Sequence, residues 1–118
     1  MNPWTTPIGW TLLTLGQVLL FAVVDMAPLH AAEGRRYEDA VLALLPRHGG
    51  TLESRRHSTD ATSEVHLIRF DSRSGYEAFM VDPDRLELRE QAGAAAPTTR
   101  VIEVALSLIH ISEPTRPY

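Results

Sequence analysis

The chain of 118 residues has no cysteine. Disulfides, thiolate catalysis and thiolate metal sites are thereby excluded, and the lack of thiols fits a reducing compartment such as the cytoplasm. Lysine is absent too: every strong base is an arginine, and Asn2 is the only asparagine. That bias is one of GC-rich coding DNA rather than of physical selection. There is no excess of positive charge, since the net charge is -4. Nothing in that balance favours nucleic acid or an anionic membrane as a partner. Phosphate loops, dinucleotide fingerprints and Ser-His-Asp patterns are missing as well. What is present is 44% hydrophobic and 22% charged, enough for one folded domain. A domain this small gains from a partner surface.

Residues 1–24 carry no charge. The apolar run 8–24 is shorter than the roughly 20 residues of a spanning helix. Thr11, Thr14, Gly16 and Gln17 interrupt it, and no base precedes it as a signal peptide would require. The expectation is an apolar arm over 1–17 and a strand over 18–25, apolar on both faces as in a covered central strand. The alternative is an export or anchor segment, with Ala31-Ala32 standing where cleavage would fall. A long helix detached from the sheet would mark that alternative.

At the other end, residues 106–116 (Leu-Ser-Leu-Ile-His-Ile-Ser-Glu-Pro-Thr-Arg) break with the composition before them. They resemble the translated read-through of a transposase-type sequencing adapter. Residues 106–118 are thus expected to be a non-native tail, the alternative being a genuine Pro-containing one. On that reading His110 is no ligand candidate, and the domain spans 18–105.

The stretch around which the domain is organised is 63–85. Val65 to Phe70 is rich in β-preferring residues, and Asp71-Ser72 breaks the run. Ser74 and Glu77 have capping-box spacing, so a helix is expected from Ser74, with Tyr76, Phe79 and Met80 on one face. Asp82-Pro83 offers a cap and a first-turn proline for a second helical piece. Upstream, Tyr37, Val41, Leu44 and Leu45 form one stripe of a helix over 33–45. Glu33, Arg35, Arg36, Glu38 and Asp39 read as its solvated side. Pro46 and Gly49-Gly50 end it. A more polar strand over 51–58 belongs at an edge, a hairpin leads into 64–70, and 98–105 alternates as a last strand.

The order strand, helix, strand, strand, helix, strand is the split β-α-β arrangement of an α+β, ferredoxin-like βαββαβ fold. Right-handed crossovers put the first and third strands in the centre of a four-stranded antiparallel sheet, with two helices on one face. The other face, drawn from Leu19, Phe21, Val23, Val65, Leu67 and Val101, would be a bare apolar patch. A two-fold partner would cover it.

Among the histidines His30, His48, His57 and His66, none has metal-ligand spacing, so no metal and no cofactor is expected. His48 reads as a polar cap in its turn. His57 and His66 lie on adjacent antiparallel strands, where a pair relays protons near neutral pH; the competing reading is two strand-end polar groups. Arg69 should face away from the helices, where an arginine among apolar groups needs an anion or carboxylate. Its competing partners are Glu53, Glu64 and Glu103. Tyr37 and Tyr76 have hydroxyls within reach of a pocket but belong to helical stripes.

Tyr37-Glu38, the run Leu44-Leu45-Pro46-Arg47-His48-Gly49-Gly50, Glu64-Val65-His66, Arg69-Phe70-Asp71-Ser72 and Asp82-Pro83 together resemble the dimeric α/β-barrel superfamily. The resemblance is strongest to small members related to the antibiotic-biosynthesis monooxygenases, and it covers residues 18–104. It implies a homodimer whose two barrel lumens bind a small apolar or aromatic molecule. It further implies cofactor-free monooxygenase or isomerase activity in which the substrate supplies the reactivity. Arg69, His66 and His57 would then act on the ligand, with Tyr37 and Tyr76 binding it. A non-catalytic dimeric ligand-binding or structural module is the alternative.

Overall fold

In the computed structural model, residues 16–105 are described. The arm, all but its last two residues, and the tail 106–118 lie outside them. Strand β1 (Val18–Asp25) alternates: Val18, Leu20, Ala22 and Val24 are buried, and the residues between them are less so. Strand β3 (Ser63–Phe70) buries Glu64, His66, Ile68 and Phe70 in the same rhythm. A period of two sends these residues to one face of each strand. Strands β2 (Gly50–His57) and β4 (Thr98–Val104) complete an antiparallel sheet in the order β2-β3-β1-β4. The first and third strands are central, as the topology requires, and the polar β2 is an edge.

Helix α1 (Ala31–Leu42) lays Tyr37 and Val41 on the sheet. It stops before Leu45 because the chain tightens into a 3-10 turn, Leu45–His48, with Pro46 in its first turn and Gly49 at φ 72° closing it. Helices α2 (Arg73–Met80) and α3 (Pro83–Ala92) follow β3. The core joins Val18, Leu20, Tyr37, Val41, Leu45, Ile68, Phe70 and Phe79. Phe70 sits at its centre, its ring 5.5 Å from those of Tyr76 and Phe79.

The cap of α2 is Ser72, not Ser74. Ser72 has the extended backbone of an N-cap, and its hydroxyl accepts from the Gly75 amide at 3.0 Å. The Asp82-Pro83 cap forms as expected, with Asp82 Oδ1 accepting from the Asp84 amide at 2.8 Å. Asp82 is also a strut. Its buried carboxylate accepts from His48 Nε2 at 2.6 Å and from Arg47 at 3.1 Å, tying the 3-10 turn to the α2–α3 corner. The His48 hydrogen bond, chiefly, outweighs desolvation and holds the Asp82 carboxyl down at about 2.

One member of the open face differs from expectation. Val101 pairs with Ala22 and so points toward the helices, whereas Ile102 pairs with Phe21 on the open side. The open patch is therefore Leu19, Phe21, Val23, Val65, Leu67 and Ile102, with Phe21 38% and Ile102 42% exposed among the described residues.

Gly75 allows α2 to begin against the 3-10 turn, because a Cβ there would strike the His48 carbonyl oxygen. In an exposed helix Gly→Ala stabilises by about 1 kcal/mol. Here Gly75→Ala should instead lower unfolding stability by about 1–3 kcal/mol, as overpacking does. Urea melts check this, and an alanine variant as stable as the parent would contradict it.

Candidate functional site

Between the sheet and the helices lies a cavity of about 300 Å³, at the small end of ligand pockets. Leu20, Ala22 and Val24 of β1 and Ile68 and Phe70 of β3 form its sheet wall. Tyr37, Val41 and Leu42 of α1 and Tyr76, Phe79 and Met80 of α2 form its helical wall. Arg85 and Arg89 of α3 and Thr99 and Val101 of edge strand β4 complete the lining. Arg85 lies over the Phe79 ring at 5.3 Å and donates to the Met80 carbonyl, while Arg89 donates to that of Pro97.

Glu38 and His66 interrupt this apolar lining, and buried Glu64 stands next to His66. Glu64 and His66, two apart on β3, share the helix-facing side. Opposite them on β2, the register shifts between Leu52 and Ser54, and this bulge brings Arg55 level with His66. Without it, parity would turn Arg55 outward. Arg55 instead grips Glu64 with a two-pronged guanidinium, Nε to Oε1 at 2.9 Å and Nη2 to Oε2 at 3.2 Å, and also donates to Asp39 at 2.7 Å. Burial pushes the Glu64 carboxyl up, but Arg55 and His66 outweigh it and hold it below its ordinary range.

An ionised carboxylate only accepts, so His66 Nε2 carries the hydrogen in its 2.8 Å bond to Glu64 Oε1. Its other nitrogen, Nδ1, is left facing Glu38 Oε1 at 3.9 Å. Glu38 is only 5% exposed. Burial, reinforced by the charge of Glu64, raises its carboxyl to about 7 against the pull of Arg55, Arg85 and Arg89. Both Glu38 and His66 line the cavity. A carboxyl poised near neutrality beside an oriented imidazole can accept and return protons at ordinary pH.

Of the residues singled out in the sequence, His66, Tyr37 and Tyr76 meet at this cavity. Arg69 does not. It is one residue from Phe70 and therefore on the opposite face, where it donates to Glu53 at 3.3 Å and to Gln17 at 3.1 Å. Arg69 and His66 thus cannot act in one compartment of a single chain. His57 does not meet His66 either: it stands across from Glu64 at the end of β2, exposed, with Nδ1 donating to the Ser58 carbonyl. Glu38, Glu64 and Arg55 were not legible as site residues. By charge Glu38 belongs with the solvated side of its helix, but its spacing to Val41 and Leu45 puts it on the buried stripe. The bulge that orients Arg55 leaves no mark in the sequence. Among the described residues, no cluster of three or more His, Cys, Asp or Glu is arranged to hold a metal ion, and no helix is long and apolar enough to cross a membrane.

The architecture is that of a ferredoxin-like α+β domain. Solved structures share it. A candidate antibiotic biosynthesis monooxygenase from Bacteroides thetaiotaomicron matches at 10% identity and a TM-score of 0.67, over 79% of this chain and 91% of that one. SnoaB, a cofactor-independent oxygenase from Streptomyces nogalater, matches at 15% identity and a TM-score of 0.64, over 77% and 93%. Rv0793 from Mycobacterium tuberculosis matches at 22% identity and a TM-score of 0.58, over 76% and 95%. At these identities the likeness establishes the fold. No protein-family model and no curated protein matches the chain.

A carboxyl raised from near 4.5 to about 7 makes the folded state bind its proton more tightly than the unfolded state does. Stability should therefore fall as pH rises across that window and level off above it. The expected loss is about 3 kcal/mol, at about 1.4 kcal/mol per pH unit. Denaturant melts from pH 4.5 to 8 should show the decline in the parent and its removal in Glu38→Gln. The same slope in both would contradict the assignment.

Proposed function

We propose that the chain binds a small apolar or aromatic molecule in the cavity between its sheet and helices and acts on it without a cofactor, as a monooxygenase or isomerase. The observation that carries this reading is the cavity itself: aliphatic and aromatic walls with Glu38 and His66 set into them. The polar pair would orient a ligand oxygen or exchange a proton with it, and the ligand would supply the remaining reactivity. Tyr37 and Tyr76 would hold its ring. The likeness of fold to SnoaB, a cofactor-independent oxygenase, supports the choice of chemistry. Arg69 and His57 have no part in it, since neither lines the cavity.

The working form on this reading is a homodimer. The open sheet face, centred on Phe21 with Ile102 beside it, is the surface a second copy would cover. Light scattering on the full chain should give twice the monomer mass, and Phe21→Glu should return it to the monomer. A monodisperse parent at monomer mass would contradict the dimer.

Benzoylacetone, an aromatic 1,3-diketone, is a suitable probe of the cavity. Calorimetric titration should detect binding. Val101→Trp, which fills the cavity from the exposed edge strand, should weaken it by about tenfold or more, equivalent to about 1.4 kcal/mol. Undiminished affinity in that variant, or no binding by the parent, would contradict the reading.

A further inference from the structure

The polar groups on the helix-facing side of the sheet form a chain with two unlike ends. One end is Arg55, which meets exposed Asp39 at 2.7 Å. The other end is Glu38, which opens on the cavity. Two of the contacts between them are directed hydrogen bonds, Arg55 donating to Glu64 and His66 Nε2 donating to Glu64, and the last is an approach of His66 Nδ1 to Glu38 at 3.9 Å, beyond hydrogen-bond distance. A chain that served packing alone would have no need to present its acceptors to a cavity. Here both Glu38 and the ring of His66 stand in the cavity wall.

We infer that Glu38 and His66 form a proton-accepting pair for a bound ligand that carries an acidic C–H between two carbonyls, or the O–H of the corresponding enol or phenol. Glu64 and Arg55 are the positioning residues behind the pair. The inference rests on the cavity being a ligand site. In the step, the C–H bond breaks and its electron pair stays on the ligand as an enolate. The proton goes to a Glu38 carboxylate oxygen. Were the 3.9 Å to His66 Nδ1 closed to hydrogen-bond distance, the proton could pass on and make an imidazolium whose Nε2–H is already bonded to the Glu64 carboxylate, the arrangement in which a carboxylate steadies a charged imidazole. Exchange of that proton with solvent before its return to the same carbon exchanges hydrogen; return to another atom isomerises the ligand. Neither route needs an oxidant.

The charged groups that bear on Glu38 are Glu64 on β3, Arg55 on β2, and Arg85 and Arg89 on α3; uncharged Tyr37 precedes it on α1. Glu64 makes its proton harder to lose and the three arginines make it easier. The balance near neutrality favours a base that works in both directions. Glu64 therefore has two functions, holding His66 and keeping Glu38 basic.

Deuterium exchange at the central carbon of benzoylacetone, followed by proton NMR in heavy water with the full chain, tests this. The probe's affinity is measured alongside. The protein should accelerate exchange, with a rate that rises with pH through a midpoint near 7 and then levels. Glu38→Gln should lower the acceleration by about 100-fold or more, the scale of a lost general base. Glu38→Asp, which retains a carboxylate, should keep part of it. Glu64→Gln should move the midpoint to lower pH, because it removes a charge that raises Glu38; a purely structural role would leave the midpoint in place. Binding of the probe without accelerated exchange, or exchange unchanged in both Glu38 variants, would overturn the base while leaving the cavity as a ligand site. Failure of the parent to bind the probe would overturn the ligand site and the base with it.

Discussion

A carboxylate cannot stay ionised inside an apolar core without a partner that replaces water. The buried Glu64 meets that condition chiefly through Arg55, whose guanidinium engages both of its oxygens, with His66 Nε2 donating to one of them. The arrangement on the helix side follows from this pairing. An ionised Glu64 fixes the hydrogen on His66 Nε2 and leaves Nδ1 free to face Glu38. Its charge, added to burial, is what keeps Glu38 near neutrality. The bulge in β2 is therefore more than a local irregularity. By inserting a residue it turns Arg55 inward, and without that turn Glu64 would be an uncompensated buried charge, costing on the order of 3–5 kcal/mol.

The sheet divides its labour by parity. Even-numbered residues of β1 and β3 face the helices and supply the sheet side of the core and cavity, with Glu64 and His66 among them. Odd-numbered residues carry an apolar patch with Arg69 and Glu53 paired at its margin. A single strand can serve both purposes because neighbouring side chains point to opposite faces. It also means that patch and cavity are separable: a substitution at Phe21 touches the patch, and one at Glu38 touches the cavity. The strut between His48 and Asp82 bears on the cavity indirectly. It anchors the corner from which α2 and α3 bring Phe79, Arg85 and Arg89 to the cavity wall.

Much of the fold could be read from residue pattern because its causes are local. The alternation from Val65 to Phe70, the Asp82-Pro83 cap and the Gly49-Gly50 reversal each state their structure within a few positions. Ser72 displaced Ser74 as a cap because two serines compete and only one has an extended backbone next to the strand end. The site was less legible, for two physical reasons. Arg69 lies away from the helices, as its place next to Phe70 requires, and pairs with Glu53, but the cavity lies on the helix side, a location no residue pattern singles out. Glu38 was hidden by its own charge. Acidic residues beside arginines read as a solvated helix face, although the spacing of Glu38 to Val41 and Leu45 placed it on the buried one. Arg55 could not have been found by any count of residues, since its orientation depends on a bulge.

The likeness of fold to SnoaB and to the other matched structures leaves the chemistry to be decided by the side chains of this chain. They converge on the protonation of one carboxyl. The most direct measurement is a carbon-13 NMR titration of the Glu38 side-chain carboxyl in the folded protein, assigned by its loss in Glu38→Gln. A midpoint near 7 that moves down when Glu64 is neutralised would establish the buried, charge-coupled base on which the account depends. A midpoint in the ordinary glutamate range, unmoved by Glu64, would contradict it.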